Sequence, residues 1–504
     1  MRGAGQGLIS VKRSKCVNRP NIVFILSDDQ GWWALGAAGN REIRTPCLDR
    51  LAAEGIHFRN FFCASPVCSP ARASILTGEM PSRHGVLDWI QGGNIGPGAV
   101  DYLEGRTLWP TLLAHSGYTC AQIGKWHLGD SATPRPGFFE WITTPLGGGA
   151  YRDPQIVRGG RVAQEKGYLT DILADEAIRF LEHVSGDPRP FCLLLNFTAP
   201  HSPWLDQHPE DIVASYDDCP FESAPQEPPH EWLDRVHDFD FSRKLASPAR
   251  ARQENIPARE YLKGYYAATT AMDRAIARVL ARLDQTSDAN RTLVVFMSDN
   301  GFSCGHHGIW GKGNATWPLN LYENSIKIPC IMRWPERIVA GRVCDELLSQ
   351  YDILPTILDI CGLTHPKASA LPGASFFDLL GGEEARSSWR DRVHVFDEYG
   401  AARMVRTKEW KYIHRHPDGP HELYDLRNDP GERHNLLNSS LSSEMREISL
   451  RFHRDLDEWF TRYTDKIFDR YRSAVMGRGQ AAPITQAGRE ALLFRPRAGQ
   501  EYEK

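Results

Sequence analysis

The sequence predicts an α/β protein. It has a large domain, whose central and mostly parallel sheet is flanked by helices, and a smaller C-terminal α+β domain with an antiparallel sheet. With 504 residues, the chain is too long for one ordinary hydrophobic core. Short continuous apolar runs that end in polar residues are typical of strands buried on both faces of a parallel sheet. Four such runs are present: Asn21 to Leu26, Tyr118 to Ile123, Phe191 to Phe197 and Thr292 to Met297.

Three amphipathic segments supply predicted helices of the large domain. The first begins at Thr45 and Pro46, a cap residue and a first-turn proline, and ends at Gly55. The second begins at Tyr261 and carries one apolar stripe, which we interpret as core. The third spans Tyr351 to Leu363.

Composition shifts divide the chain. Charge density rises after Gly382, which predicts a large domain of residues 18–382 and a smaller domain of residues 383–504. Short strands between residues 393 and 426, then a helix near residues 442–460, predict the antiparallel sheet, its helix and a tail. Residues 205–258, rich in proline and charge, are expected to leave the core and wall a substrate pocket.

Charge and cysteine content exclude several classes of protein. The net charge of -4 is near balance, so we expect neither a nucleic-acid nor a membrane-surface partner. Eleven cysteines without CxxC pairs argue against a disulfide framework or a zinc ribbon. The N-terminus lacks an apolar core of signal-peptide length, so we expect a cytoplasmic protein, or a periplasmic or secreted one if the start is misassigned. Nothing in the sequence predicts an oligomeric state.

A thiol lies at the predicted start of a helix. Cys68 comes just before Pro70 and Arg72, and a proline there is tolerated only in the first turn. A helix N-terminus favours negative charge, so it would stabilise an anionic nucleophile or a bound anion. Arg72 adds a fixed cation that suits a tetrahedral oxyanion. A small buried hydrophobic cysteine is the alternative.

Oxygen-bearing side chains follow the first and the fourth strand. Asp28 and Asp29 end the first run, and Asp299 and Asn300 end the fourth. Ligands of open α/β sheets bind at this carboxyl edge. Hard oxygen ligands without a thiol or imidazole cluster suit Ca²⁺ or Mg²⁺ better than zinc. Asp28 and Asp29 could equally open a turn.

Basic and imidazole side chains follow the other strands. Lys125 and His127 alternate after the second strand, so an extended backbone would point both to one side. His201 follows the third strand, and Lys312 lies in a loop after the fourth. Taken singly, each could be a surface lysine or a packed histidine. Residues 147–149, three glycines without a following GK[ST], predict a flexible connection, not a phosphate loop.

Together these motifs resemble those of type I sulfatases, formylglycine-dependent enzymes of the alkaline phosphatase superfamily, and they come in the family's order. The resemblance covers most of the chain from Asn21 to about Leu437. The matching segments are the two aspartates after the first strand, CSPAR, GKWHLG, the histidine after TAP, SDNG, GKG, LYE, WKYI, and ELYDL with DPGE.

The resemblance implies a sulfuric ester hydrolase that cleaves a sulfate monoester of a carbohydrate or an aryl alcohol. It implies that a formylglycine-generating enzyme oxidises Cys68 to formylglycine, whose hydrate attacks sulfur and forms a sulfate ester at residue 68. One divalent cation, Ca²⁺ with Mg²⁺ or Mn²⁺ as alternatives, would be bound by the residues matching the family's metal ligands: Asp28, Asp29, Asp299, Asn300 and the formylglycine from Cys68.

The resemblance also implies catalytic roles. Asp299 would be the base for the attack, while Lys312 and His201 would bind the sulfate and protonate the leaving alcohol. His127 would deprotonate the second hydroxyl and so release sulfate. The nucleophile would be oriented, and charge neutralised, by two cations, Arg72 and Lys125.

Two alternatives stay open: a phosphonate monoester or phosphodiester hydrolase of the same superfamily, and a non-catalytic carbohydrate- or metal-binding protein of this fold. A phosphatase with two zinc ions is disfavoured, because a second set of His and Asp ligands is not evident. Residue type and location give candidates for polar and aromatic contacts to a sugar: Arg83, His306, His307, Trp317, His414, Arg415 and His416.

Overall fold

The computed structural model describes residues 19–233, 256–381, 389–397, 401–438, 442–471, 475 and 479–484. The predicted domain boundary after residue 382 lies outside these ranges, as does part of the predicted excursion at 205–258. Within them, no helix combines the length and the apolar character needed to cross a membrane.

Strands occur throughout the described chain. In chain order they are β1 (Asn21–Asp28), β2 (Ile56–Phe58), β3 (Phe61–Phe62), β4 (Thr119–Lys125), β5 (Phe138–Thr144), β6 (Gln155–Arg158), β7 (Arg161–Gln164), β8 (Phe191–Pro200), β9 (Thr292–Ser298), β10 (Ser303–Cys304), β11 (Trp310–Gly311), β12 (Lys327–Ile328), β13 (Cys330–Arg333), β14 (Arg342–Cys344), β15 (Leu348–Ser349), β16 (Arg392–Asp397), β17 (Ala402–Thr407), β18 (Trp410–Arg415) and β19 (Glu422–Asp425).

Helices alternate with these strands. The α-helices are α1 (Pro46–Ala53), α2 (Cys68–Thr77), α3 (Pro81–His84), α4 (Trp109–His115), α5 (Leu169–Val184), α6 (Glu210–Ala214), α7 (Ala258–Asp284), α8 (Glu323–Ile326), α9 (Ile353–Ile360), α10 (Phe377–Leu380) and α11 (Ser443–Tyr463). Short 3₁₀ helices span Gly36–Ala38, His306–Gly308, Gly313–Ala315, Gln350–Asp352, Ala368–Ala370 and Leu436–Asn438.

A mixed ten-stranded sheet with the order β14-β2-β13-β9-β1-β8-β4-β5-β6-β7 forms the centre of the large domain. Its five middle strands, β9, β1, β8, β4 and β5, are parallel, whereas β13 pairs antiparallel with β9, and β6 with β5. The four apolar runs are the adjacent strands β9, β1, β8 and β4. The predicted α/β fold with a mostly parallel sheet is therefore confirmed.

Both faces of the sheet are covered, which explains why its strands are continuously apolar. Along β1, Ile22, Phe24 and Leu26 belong to one core, and Val23 and Ile25 belong to the other. Helices α2, α4 and α9 contribute to the first core, and α1, α5 and α7 contribute to the second. The carboxyl ends of the five parallel middle strands are thus fixed at one edge.

Helix α1 begins where predicted, but its cap comes from another helix. Thr45 makes no side-chain cap bond to α1. Instead the buried Asp273 of α7 accepts hydrogen bonds from the backbone amides of Cys47, at 3.0 Å, and Leu48, at 2.8 Å. A carboxylate from a distant helix thus satisfies the unpaired N–H groups, which local sequence cannot reveal.

The C-terminal part has an antiparallel sheet of order β16-β17-β18-β19, and α11 packs on it through Phe452, Leu456 and Phe460. This confirms the predicted small sheet with a helix. Strand β18 also reaches the large domain, because Lys411 donates to the carbonyl of Leu321 at 2.9 Å. The segment after Lys312 is therefore anchored from the second sheet.

Candidate active site

A cavity of about 370 Å³ lies at the carboxyl ends of the middle strands. Five of the residues predicted to be functional line it, and they come from five separate segments of the chain: Asp29, Cys68, His127, His201 and Lys312. It is lined by Asp29, Cys68, Trp89, Ile90, Gln91, Asn94, His127, Leu146, Gly147, Gly148, His201, Ser202, Phe302, Gly311, Lys312 and Asn314.

Cys68 is the first residue of α2, as predicted, and Pro70 lies in the first turn of that helix. The side chain is buried, with 4% of its surface exposed. Burial raises the pKa of the Cys68 thiol, although the ammonium groups of Lys125 and Lys312 oppose this shift. The unmodified thiol is therefore protonated near neutral pH and is a poor nucleophile.

Two cations hold the carboxylates that follow β1 and β9. Lys125 Nζ contacts Asp28 Oδ2. Arg72 Nε donates to Asp299 Oδ2 at 2.9 Å, and its Nη2 lies 3.8 Å from Asp28 Oδ2. Burial alone would raise the pKa of Asp28, but the positive charge of Lys125, together with other nearby positive charges such as that of Arg72, outweighs burial and lowers that pKa. Burial and the adjacent Asp28 instead raise the pKa of Asp299, so Asp299 is the more basic of the two.

Asp29 is held by the loop that carries Lys312. Lys312 Nζ contacts Asp29 Oδ1, and Asn300 Nδ2 donates to the same oxygen at 2.7 Å. His201 Nε2 lies 3.7 Å from Asp29 Oδ2. The backbone of Asp29 has φ 62°, and the Tyr265 hydroxyl donates to its carbonyl at 2.9 Å. A left-handed turn thus aims this carboxylate into the cavity.

The residues around Asp28 fit a hard divalent cation. Asp28 Oδ1 is buried, and it accepts no hydrogen bond from any residue that the structure describes. Ligand atoms of Asp28, Asp29 and His201 lie within 4.8 Å of one another. Asp299 adds oxygens beside them, since its Oδ1 accepts from the backbone amide of Asp29 at 3.2 Å, and the Asn300 oxygen lies 3.4 Å from Lys312 Nζ. An oxygen-rich set with an unsatisfied carboxylate oxygen suits Ca²⁺ or Mg²⁺.

Gln350, which sequence reasoning missed, fixes the loop of Asp299. Its Nε2 donates to the carbonyls of Ser298, at 3.2 Å, and Asp299, at 2.5 Å. Its Oε1 accepts from the Ala64 amide at 3.0 Å. This fully buried amide links the end of β9 to the segment that leads into α2. No local sequence signal distinguishes it from other polar residues at a helix start.

His127 is oriented by a backbone carbonyl. Its Nε2 lies 2.9 Å from the carbonyl oxygen of Ile90. Because a carbonyl only accepts, Nε2 carries the proton and Nδ1 keeps its lone pair. Nδ1 is buried and has no hydrogen-bond partner within the described ranges. Burial, with the Lys125 charge nearby, lowers the pKa of His127 well below its usual value, so the ring is a neutral base.

Lys125 and His127 both reach the site, as predicted, but they do so through a different backbone conformation from the one predicted. Lys125 ends β4, but His127 has φ 56° and lies in a left-handed turn. Both reach the site, yet an extended backbone is not the reason. Gly124, at φ 102°, begins this departure from the strand.

Residues 147–149 were predicted to be a flexible connection and were not predicted to lie at the site. Gly147 and Gly148 line the cavity directly after β5. A methyl group on Gly147 would overlap the imidazole of His127, and one on Gly148 would lie 3.2 Å from His201 Cε1. The glycines let the loop approach both rings. Their position just after a strand of the same sheet edge was the available signal.

We expect Gly147→Ala to reduce turnover strongly while the protein stays folded. The added methyl must displace the His127 ring or the loop, and displacement of a reacting group by about 1 Å can cost on the order of 100-fold. The measurement is kcat together with thermal unfolding. Gly149→Ala is the matched control, since no heavy atom lies within 4 Å of its added methyl. Equal rates for the two variants would contradict this role of Gly147.

None of the seven residues predicted to contact a sugar lines this cavity. In the large domain they have other partners: Arg83 lies 3.5 Å from Glu79, His306 packs against Trp33, His307 stacks on Tyr322 at 4.0 Å, and Trp317 packs with the cluster of Val67, Leu87 and Leu319. Packing and ion pairs occupy these side chains away from the cavity wall, and the expectation that they contact a sugar stays a prediction.

The three candidates on β18 and after it are also engaged elsewhere. Arg415 is buried and pairs with Glu422 at 2.6 Å. The His414 ring stacks on His421 at 4.2 Å, and His416 lies 5.4 Å from the ring of Tyr471. These residues build the second sheet and its junction with the large domain.

The predicted pocket wall at residues 205–258 is also corrected. None of its described residues lines the cavity. Residues 205–233 pack on α7 through aromatic contacts, with Tyr216 and Phe221 at 5.4 and 4.9 Å from the Tyr266 ring. Residues 234–255 lie outside the described ranges. The cavity wall comes instead from segments that sequence reasoning did not single out, chiefly Trp89 to Asn94, Leu146 and Phe302.

Comparison with known proteins gives two matching family models. Residues 20–363 match the model described as "Sulfatase". Residues 305–461 match the model described as "N-sulphoglucosamine sulphohydrolase, C-terminal". The first match covers all strand ends that build the cavity, and the second covers the Lys312 loop and the second sheet.

Individual proteins are similar over most of the chain. An N-acetylglucosamine-6-O-sulfatase of Bacteroides thetaiotaomicron is 28% identical, covering 85% of this chain and 86% of that protein. An N-acetylgalactosamine-6-sulfatase of Canis lupus familiaris is 30% identical, covering 72% and 66%. A protein solved with its substrate D-glucosamine-2-N,6-O-disulfate superimposes with a TM-score of 0.73 at 27% identity, covering 90% of this chain and 100% of that one.

Proposed function

The chain belongs to the sulfatase family and is a sulfuric ester hydrolase, and we propose that it desulfates a sulfated sugar using a formylglycine made from Cys68 and one divalent cation. The observation that carries this proposal is the position of Cys68. It begins α2 inside the cavity, among three buried carboxylates and three buried cations. That arrangement suits a charged reacting group at residue 68 better than a structural cysteine.

Maturation explains why a protonated, buried thiol occupies this position. A hydrated formylglycine would supply one hydroxyl as nucleophile and a second that permits sulfate release, and a bound divalent cation, Ca²⁺ in this proposal, would stabilise negative charge on the reacting oxygens. The cation would be held by Asp28, Asp29, Asp299, Asn300 and the modified residue 68. A formylglycine-generating enzyme is the proposed partner for maturation.

The chain's own cations and carboxylates prepare the site. Arg72 spans Asp28 and Asp299, and it donates from Nη1 to the Lys125 carbonyl at 3.0 Å, which joins β4 to the helix of Cys68. Lys125 neutralises Asp28 from the other side. These contacts hold the charged groups around residue 68 in fixed positions, which limits the reorganisation that accompanies the reaction.

Proton transfers are assigned to four residues. Asp299, whose pKa is raised by burial, would accept the proton from the attacking hydroxyl. His127 Nδ1, which has a free lone pair, would accept the proton that accompanies sulfate release. Lys312 and His201 flank Asp29 at the cavity and would bind the sulfate and protonate the leaving oxygen.

We further propose that the substrate is an N-acetylhexosamine with a 6-O-sulfate. A cavity of about 370 Å³ suits a small ligand such as a single sugar ring. Its wall combines the indole of Trp89 with the amides of Gln91, Asn94 and Asn314, which suit a ring face and its hydroxyl or acetamido groups. The names of two similar proteins specify 6-sulfated N-acetylhexosamines.

A panel of esters tests this substrate. We expect kcat/KM for N-acetylglucosamine 6-sulfate or N-acetylgalactosamine 6-sulfate to exceed that for 3- or 4-sulfated isomers by at least about 10²-fold, the scale of specific polar recognition. An aryl sulfate and its matched aryl phosphonate monoester and phosphodiester complete the panel. A preference for isomers without a 6-sulfate rejects the sugar position, and faster phosphorus ester cleavage favours the rival hydrolase.

A further inference from the structure

The C-terminal segment, residues 479–484, lies beside the wall loop, residues 85–92. The backbone N–H of Gln480 donates to the backbone carbonyl of Trp89 at 2.8 Å. The backbone N–H of Gln91 donates to the backbone carbonyl of Gln480 at 2.9 Å. These bonds form a short parallel bridge. A segment almost 400 positions away in sequence thus supplies the backbone partner of the wall loop.

The Gln480 side chain adds a second set of bonds. It is fully buried, and its Oε1 accepts from the Leu87 amide at 2.9 Å. Its Nε2 donates to the carbonyls of Gly85, at 3.0 Å, and Ala482, at 3.1 Å. The side-chain oxygen and both N–H groups of Gln480 are therefore paired. Two of these three bonds reach backbone atoms of the wall loop, and the third reaches Ala482 in the same segment.

The two segments pack so closely that a side chain larger than hydrogen would not fit at two of the contact positions. A methyl group on Gly92 would lie 2.7 Å from the Ala481 carbonyl oxygen. Gly479 has φ 100°, and a methyl group there would lie 2.9 Å from Gln91 Cβ. Backbone contact this close requires glycine on both sides.

Residues of the wall loop also contact the proposed catalytic groups. Trp89, Ile90 and Gln91 line the cavity. The Ile90 carbonyl lies 2.9 Å from Nε2 of His127, and the Ile90 amide donates to the hydroxyl of Ser69, at 3.1 Å, beside Cys68. One residue of the loop therefore contacts both the base and the helix of the nucleophile.

We propose that Gln480 is a positioning residue for this active site. It holds the wall loop so that the Ile90 carbonyl orients His127 and so that Trp89 and Gln91 keep their places in the cavity. The inference rests on the proposed function, because it takes this cavity and His127 as the site of sulfate ester hydrolysis.

The test compares two full-length glutamine variants. Gln480→Ala removes the bonds to the wall loop. Gln226→Ala is the matched control, since Gln226 Nε2 also donates to two backbone carbonyls, of Ala224 and Cys304, but does not line the cavity. We expect kcat to fall by about 10- to 100-fold in Gln480→Ala only, the scale of a misplaced reacting group. Gln480 is fully buried and Gln226 is exposed, so we expect Gln480→Ala to lose more thermal stability, and kcat is compared at a temperature where both variants are folded.

Hydrogen exchange gives a readout that does not depend on turnover. Peptides covering residues 85–92 should exchange faster in Gln480→Ala than in wild type, and they should be unchanged in Gln226→Ala. If Gln480→Ala does not fold, Gly92→Ala provides the second variant. Its methyl group would push the two segments apart while the side-chain amide of Gln480 stays in place.

The outcomes separate this inference from the proposed function. Wild-type protein that cleaves no sulfate ester overturns the proposed function, whatever the variants do. Wild-type turnover with equal kcat in Gln480→Ala and Gln226→Ala overturns the positioning role. Unchanged exchange of residues 85–92 in Gln480→Ala overturns it as well.

Discussion

Substitution of Cys68 should abolish sulfate ester hydrolysis. Cys68→Ala removes the residue that becomes the nucleophile, and loss of a hydrolase nucleophile costs about 10⁶-fold in kcat. The fold should survive, because the substitution removes a single buried sulfur atom at the first position of α2. The measurement is turnover of a sulfate ester by protein co-produced with a formylglycine-generating enzyme.

Cys68→Ser tests whether a single hydroxyl at this position is sufficient for turnover. Serine has the size of cysteine and a hydroxyl, but it has no second hydroxyl to permit release of sulfate. We therefore expect no sustained turnover, with thermal unfolding close to wild type. Multiple turnovers by Cys68→Ser produced with the same maturation enzyme would show that an ordinary hydroxyl or thiol is sufficient, and the formylglycine proposal would then be dropped.

The second large effect concerns the proposed cation. Asp29→Asn keeps the shape of the side chain but removes a ligand charge and leaves Lys312 without its carboxylate partner. We expect activity to fall by about 10³-fold, equivalent to roughly 4 kcal/mol in the barrier. Calcium content of the purified variant should fall in parallel, which is the readout independent of turnover.

Chelation of the wild-type protein is the complementary experiment. Exhaustive removal of metal should abolish activity, and added Ca²⁺ should restore it. Asp345→Asn serves as the charge control, because Asp345 is exposed and pairs with Arg59 on the surface, away from the cavity. Full activity in chelated protein that contains no metal would contradict the proposed role of the oxygen cluster.

Features fixed by local pattern were predictable from the sequence. The strands β1, β4, β8 and β9 are continuously apolar because both of their faces are buried, and this pattern is readable without a structure. Since parallel strands end at one sheet edge, Asp28, Lys125 and Asp299 could be expected to meet. The helix start at Cys68 followed from the position of one proline.

Features that depend on distant partners were not predictable. The amide of Gln480 meets the wall loop across almost 400 residues, and Gln350 fixes Asp299 through two backbone carbonyls. Neither contact leaves a periodic or spacing signal. The seven candidate sugar contacts were chosen by residue type and position in the sequence, and these do not distinguish Arg415, buried against Glu422, from an exposed binding residue.

The most direct test of the account is the mass of the peptide that contains residue 68, measured on enzyme of known specific activity. If Cys68 is matured as proposed, this peptide has the mass of formylglycine in place of cysteine. Across preparations, specific activity on a sulfate ester should be proportional to the fraction of Cys68 converted to formylglycine. Full activity from protein whose residue 68 is entirely unmodified cysteine would contradict it.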